Sequence, residues 1–299
     1  MRSMKILALS LSIVFCSAAA SAQQAYSDLY VIPIAGHTPG ANGTNWMSNL
    51  AIQNFQTSPL TVQIVVIESG SMTDNVYPLA TAASNGSVTV PAGGSAMLKD
   101  LLNDHRGLTS TTGALLVGAD RPFALTSRTY SMTPDGDTVG QTVPGAGSFL
   151  DNTLSPINLA AAVAYVPGLV QNGEFRTNLG FVAANASGSG GAMTMSVTLR
   201  NAGGAVTGTR AFSVPAGAIL QMQFSARELS AGNFDVAGAE FRITSGSGAV
   251  VPYASVIDNR TADAVFVSGL FPQNATNVTA LSQRTSLFRA ILDSVSGAR

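Results

Sequence analysis

Cysteine is nearly missing from this chain: Cys16 is the single one in 299 residues. The remainder can form no disulfide and carries no thiol chemistry. Histidine is almost as scarce, with His37 and His105 the whole supply. No H-E-x-x-H and no cysteine ligand set can be written from such a supply, which argues against a conventional zinc site. A Ser-His-Asp triad finds no G-x-S-x-G elbow to carry it. Charge is sparse too: Asp, Glu, Lys and Arg make up 10% of the residues, with a formal net charge of −1. Ordinary soluble domains hold about 25% charged residues. Lys5 and Lys99 are the only lysines. Without a basic patch, nucleic acid is not an expected partner. Every apolar run after the N-terminus is broken by Thr, Ser, Gly or Asn. None approaches the roughly 20 residues of a membrane-spanning helix, so no transmembrane segment is expected in the mature chain.

What is present begins with an export signal. Arg2 and Lys5 precede the apolar "ILALSLSIVFC", and Ala20-Ser21-Ala22 is an A-x-A cleavage site. Residues 1–22 therefore read as a signal peptide. Bulky Phe15 before Cys16 argues against lipoprotein processing there. An exported chain without disulfides fits a bacterial periplasm, cell surface or medium.

The chain also matches itself. "WMSNLAI" at 46–52 answers "FRTNLGF" at 175–181, "VPAG" at 90–93 recurs at 214–217, and "YVIP" at 30–33 answers "YVP" at 165–167. Offsets that stay near 130 residues describe two copies of one unit. The copies are placed at 27–145 and 161–272, with a linker at 146–160 and a tail at 273–299.

Each copy reads as strands. Trp46, Ser48, Leu50 and Ile52 share one face of a strand, as do Phe175, Thr177, Leu179 and Phe181. Leu60, Val62, Ile64 and Val66 form the next inward face, matched by Met193, Met195, Val197 and Leu199. Side chains alternate across a strand with period two, so these are inward faces of antiparallel sheets. Further strands are expected near 86–91, 113–118, 122–132, 208–215, 239–245 and 249–257, separated by turn clusters such as "PAGG", "PDGD" and "NAGG". Short helical turns are expected at "LKDLLND" and "QFSARELS". About seven short strands per copy predict an all-β protein of two tandem immunoglobulin-like antiparallel β-sandwiches. Leu287, Phe288, Ile291, Leu292 and Val295 follow helical spacing. They predict a short C-terminal helix, expected to pack on the second copy, with docking on a partner as the alternative.

Candidate functional residues are few. "IAGHTPGANGTNW" at 34–46 carries three glycines but no lysine, and a strand rather than a helix follows. A phosphate-binding loop needs that lysine and that helix. The stretch is five residues longer than its counterpart in the second copy. Length beyond structural need marks a place for function, so 36–45 is the candidate binding loop, with His37, Thr38, Asn42 and Thr44 as its binding residues. Both histidines are expected to be solvated loop residues. Asp135 and Asp137 in "TPDGDT" are the one calcium candidate, although Pro-Asp-Gly also spells a tight turn and a calcium site needs six or more oxygens. Trp46 is expected to be a core anchor rather than a sugar platform, because its counterpart is Phe175 on an inward face. The recurring Asn49 and Asn178 suggest structural hydrogen bonds. The Asn-x-Ser/Thr sequons at Asn42, Asn85, Asn185, Asn274 and Asn277 follow from turn composition.

"YVIPIAGHTPGANGTNWMSNLAIQN", "VPAGGS" and "LTSRTYSMTPDGDTVGQTVPG", with the second-copy "YVPGLVQNGEFRTNLGFVAAN", resemble the repeats of uncharacterised secreted bacterial proteins. The resemblance covers nearly the whole mature chain. It implies immunoglobulin-like β-sandwich modules and brings no catalytic residues. The expectation is thus a non-enzymatic exported protein for surface interaction, adhesion or extracellular assembly, with no cofactor and with an unknown protein or glycan at the cell surface as partner. One alternative is a carbohydrate- or ligand-binding module acting through 36–45; an enzyme of unfamiliar type is the other.

Overall fold

The computed structural model describes residues 27–40, 43–72, 75–79, 86–133, 135–147, 163–185, 191–230, 232–246, 248–270 and 289–294. The signal peptide, almost all of the expected linker, Asn42, and the tail at 271–288 and 295–299 lie outside them. The chain is all-β and built as β-sandwiches.

The first half comprises β1 (Ser27–Pro39), β2 (Asn45–Gln53), β3 (Leu60–Glu68), β4 (Val76–Pro78), β5 (Ser87–Val90), β6 (Ser95–Leu98), helix α1 (Leu101–Arg106), β7 (Thr111–Met132), β8 (Thr138–Val143) and β9 (Ala146–Gly147). The second half comprises β10 (Val163–Gln171), β11 (Phe175–Asn185), β12 (Met193–Asn201), β13 (Val206–Val214), β14 (Ile219–Ser225), a 3-10 turn (Ala226–Glu228), β15 (Phe234–Ser245), β16 (Gly248–Asp258) and β17 (Ala264–Ser268). A C-terminal helix, α2, covers 289–294. Among the described residues no helix is long and apolar enough to cross a membrane.

β7 serves two layers. Its first part pairs with β3 and β1, and its second part pairs with β2 and β8. The pairing order β5-β3-β7-β1 in one layer is the order β13-β12-β15-β10 in the second half. The order β6-β2-β7-β8 in the other layer is that of β14-β11-β16-β17. In place of the single β7 the second half uses β15 and β16, divided by the turn at Gly246.

Three apolar clusters fill the layers. Leu60, Val62, Ile64 and Val66 meet Leu50, Ile52 and Phe123 inside the first half. Met193, Met195, Val197 and Leu199 meet Phe181 and Phe241 inside the second. A third cluster joins the halves, with Val31, Val65, Ile67 and Leu116 against Val182, Ala184, Ala249 and Val251. The sheets that meet there are covered on both faces. This accounts for the unbroken apolar runs in β1, β3 and β16, since strands buried on both sides lose their alternation. β12 keeps its alternation because Thr194, Ser196, Thr198 and Arg200 face outward from an uncovered sheet.

The inward hydroxyls of the two matching strands have parallel duties. Gly36 N–H donates to Ser48 Oγ at 2.9 Å, and Val170 N–H donates to Thr177 Oγ1 at 3.2 Å. Each hydroxyl ties the second strand of its half to the first.

Helix α2 corrects one expectation. Its described hydrogen bonds are with the first half, where Arg289 bonds Asp28 and the carbonyl of Ala119, and Leu292 lies against Gly118 within the cluster that joins the halves. The physical reason is space: Gly118 lacks a side chain at the rim of the third cluster, and Leu292 fills it. The helical turns expected after each "VPAG" are present as α1 and the 3-10 turn, the latter closed by a capping box between Ser225 and Glu228.

Candidate functional site

At one end of the seam between the halves the apolar contact gives way to a cleft of about 290 Å³. Its first wall is the end of β1 and the turn beyond it, from Ile34 to Gly40, with Trp46, Thr112 and Thr129 behind. Its second wall comes from three strands of the other half: Arg176 and Asn178 on β11, Gln223 on β14, and Ser255 and Ile257 on β16. Gln141 on β8 and Ala264 on β17 close it.

The cleft exists because one sheet face changes character along its length. On β11 the residues facing the first half run Arg176, Asn178, Gly180, Val182, Ala184; on β14 Gln223 lies opposite Gly180, with Gln221, buried and bonded to the Tyr253 hydroxyl, and then Ile219 opposite Val182 and Ala184. Val182, Ala184 and Ile219 belong to the sealed apolar cluster. The bulky polar ends cannot enter such a cluster without losing their hydrogen bonds to water. The sheets therefore part there.

Trp46 is half-buried in this wall rather than sealed in the core, which corrects the expectation of a core anchor. Its side chain comes from an inward-facing register position at the strand's end, where no opposing layer covers it. Gly40 lies against the pyrrole edge: a Cβ at Gly40 would sit 2.5 Å from Trp46 Nε1. Arg176 donates from Nη1 to Asn259 Oδ1 at 3.0 Å. Among the described residues it makes no ion pair. Partial burial pulls its pKa below the ordinary arginine value, through desolvation. The amides of Asn178 and Gln223 have no hydrogen-bond partner among the described residues. Gln141 is 7% exposed, donates from Nε2 to Ser255 Oγ at 2.8 Å, and leaves its buried Oε1 without a partner among the described residues.

Of the four binding residues expected at 36–45, Thr38 lines the cleft. His37 does not. It belongs to β1, is 9% exposed, and its Nδ1 lies 2.7 Å from Asp100 Oδ1. The expected solvated loop histidine is thus a buried, paired strand residue, because β1 continues its pairing with β7 as far as His37–Thr111. Thr44 contributes its carbonyl to the turn, accepting from Gly40 N–H at 2.7 Å, and lies outside the cleft lining. Asn42 lies outside the described residues. Residues 36–39 and 45 are strand, so the connection itself is confined to 40–44. His105 belongs to helix α1 rather than a loop.

Asp135 and Asp137 are both exposed at a tight turn in which Thr133 N–H donates to the Asp137 carbonyl at 2.8 Å. Among the described residues no group of three or more His, Cys, Asp or Glu is placed to hold a metal ion. Asn49 has a structural bond, its Oδ1 accepting from Asp100 N–H at 2.9 Å, whereas its counterpart Asn178 faces the cleft. Arg176, Gln223 and Gln141 were not singled out as binding residues by the sequence. The signal available was the placement of Arg176 and Asn178 on the same strand face as Val182 and Ala184.

No family model and no curated protein matches this chain. Among solved structures, a glycosyl hydrolase family 2 member from Bacteroides cellulosilyticus aligns at 6% identity over 80% of this chain and 26% of its own, with a TM-score of 0.18. A Bacteroides uniformis beta-glucuronidase 2 aligns at 10% identity over 76% of this chain and 26% of its own, with a TM-score of 0.17. A Pleurotus ostreatus lectin aligns at 10% identity over 85% of this chain and 82% of its own, with a TM-score of 0.14. The chain spans about a quarter of the length of those two bacterial proteins.

Proposed function

We propose that this is an exported, non-enzymatic surface-interaction protein of two tandem β-sandwich units, and that it binds carbohydrate in the cleft between them. The observation that carries the reading is the cleft lining: half-buried Trp46 shares it with the amides of Asn178 and Gln223, which have no partner among the described residues. Small-ligand sites combine apolar walls with a few polar groups that fix orientation. An indole offers an apolar face of large area. Amides both donate and accept, which matches the hydroxyls of a sugar. Among the described residues the lining contains no Asp, Glu, His, Cys or Lys. It thus offers no acid–base pair of the kind general catalysis uses, which supports binding over chemistry.

A glycan array probed with the full mature chain tests this, followed by titration of hits against the intrinsic fluorescence of Trp46. Binding that perturbs the emission and falls about tenfold or more in Asn178→Ala supports the reading. Binding that is indifferent to Trp46→Ala and Asn178→Ala places the ligand elsewhere and overturns it.

A further inference from the structure

We propose that the ligand of this cleft is an anionic sugar, with a carboxylate of the uronic-acid type held by Arg176. The inference rests on the carbohydrate reading above and narrows it. Arg176 is the only charged residue in the lining among the described residues. The arginines of the outer sheet are matched to acids: Arg200 and Arg242 share Glu240, and Arg210 meets Glu228. Arg176 is treated differently. One N–H of its Nη1 goes to Asn259 Oδ1. Asn259 is itself held, its side-chain Nδ2 donating to the Gly173 carbonyl at 3.2 Å and its backbone N–H donating to the Glu174 carbonyl at 2.7 Å. The guanidinium is therefore oriented through a neutral partner, and its remaining donors have no protein acceptor among the described residues. A positioned, uncompensated guanidinium in a partly desolvated cleft is complementary to a carboxylate, which it binds with two parallel hydrogen bonds. One cation with no second one beside it matches a monoanion better than a phosphate dianion.

A second observation supplies the rest of the ligand. Gln141 is buried in the same lining and keeps one amide atom unpaired. Among the described residues its only side-chain bond is to Ser255 Oγ, a hydroxyl able to donate or accept, so either amide orientation leaves one atom over. That atom is sealed, so the partners within reach of ligand hydroxyls are the half-buried amides of Asn178 and Gln223 in the same lining. A carboxylate and hydroxyls on one small ring describe an acidic sugar.

The test uses the full mature chain and short oligouronides, galacturonate and mannuronate, each paired with its carboxyl-reduced neutral counterpart. Trp46 emission reports binding. The acidic member should bind about tenfold more tightly at low salt. The difference should shrink as ionic strength rises and vanish in Arg176→Gln. Arg176→Lys should recover only part of it, since a point charge lacks the two-pronged geometry. Equal affinity for acidic and neutral members overturns the anionic assignment while leaving the carbohydrate reading intact. Failure of both members, together with a blank glycan array, overturns both. If Arg176→Gln does not fold, the acid-to-neutral ratio and its salt dependence in the wild-type chain decide the matter alone.

Discussion

Arg289 Nη2 donates to Asp28 Oδ2 at 2.7 Å, joining the C-terminal helix to the first described strand across 261 positions of sequence. The same guanidinium reaches the backbone carbonyls of Asp28 and Ala119. Beside it Leu292, 1% exposed, completes the cluster between the halves. Leu292→Ala should cost about 2–5 kcal/mol, as buried leucines do when truncated. Arg289→Ala should cost less, about 1–3 kcal/mol, because the ion pair is partly exposed to solvent. Urea denaturation of both variants checks the ranking. A wild-type midpoint for Leu292→Ala would show that α2 does not seal the seam.

Tyr253 anchors the other side of that seam. It is fully buried, its ring covers Gly180 and stacks on Phe266, and its hydroxyl accepts from Gln221 Nε2 at 2.9 Å. Burial pushes its phenol well above the ordinary tyrosine range, and the Gln221 bond opposes this only in part. An unfolded tyrosine ionises near pH 10, so the folded chain retains a proton that the unfolded chain releases above that pH. The stability from this group is complete below about pH 10 and is lost as pH rises beyond it. Tyr253→Phe should flatten that alkaline decline. It should also cost about 1–3 kcal/mol at neutral pH, by removing the acceptor of a buried amide. Thermal melts at pH 8 and above, read for both proteins, test the slope; identical slopes would rule Tyr253 out as its source.

His37 and Asp100 carry a prediction about backbone as well as side chain. Asp100 adopts φ 39° and ψ 50°, a left-handed conformation for a residue other than glycine. Its N–H donates to Asn49 Oδ1, and its carboxylate faces the His37 ring. Asp100→Ala strands a buried imidazole and should cost about 1–3 kcal/mol. Asp100→Gly loses the same partner but relaxes the left-handed backbone, so it should be the milder change by about 1 kcal/mol. Denaturation midpoints should rank wild type, then Gly, then Ala. The reverse order for Gly and Ala would remove backbone strain from the account.

Legibility in the sequence followed exposure. β12 was readable because Met193, Met195, Val197 and Leu199 alternate with polar residues on an uncovered face. β3 gave only half its story, since Val65 and Ile67 are as buried as Val62 and Ile64. A run apolar on both faces shows that something covers it, not what. Thr38 was within reach because the first copy exceeds the second in length there. His37 reads as loop in the sequence because Gly, Thr and Pro surround it, yet β7 supplies the hydrogen bonds that keep the chain extended. Arg176, Asn178 and Gln223 join Thr38 only through the packing of one half on the other. No local pattern encodes that juxtaposition.

Gly40 gives the sharpest separation between a packing role and a backbone role. Its missing side chain is space shared by the Thr44 hydroxyl and the indole edge, with Trp46 Nε1 2.5 Å and Cδ1 2.6 Å from where a Cβ would stand. Gly43, three positions on, has φ +75° and open space around its absent Cβ. Gly40→Ala should therefore displace the indole, shift its emission and weaken any ligand that rests on it. Its stability cost should be about 1–3 kcal/mol, as for other overpacked sites. Gly43→Ala should cost about 1 kcal/mol of backbone strain and leave the emission unchanged. Trp46 is the only tryptophan, so its spectrum reports this wall without interference. Equal spectral shifts in the two variants would mean that Gly40 acts through the turn and not through contact with the indole.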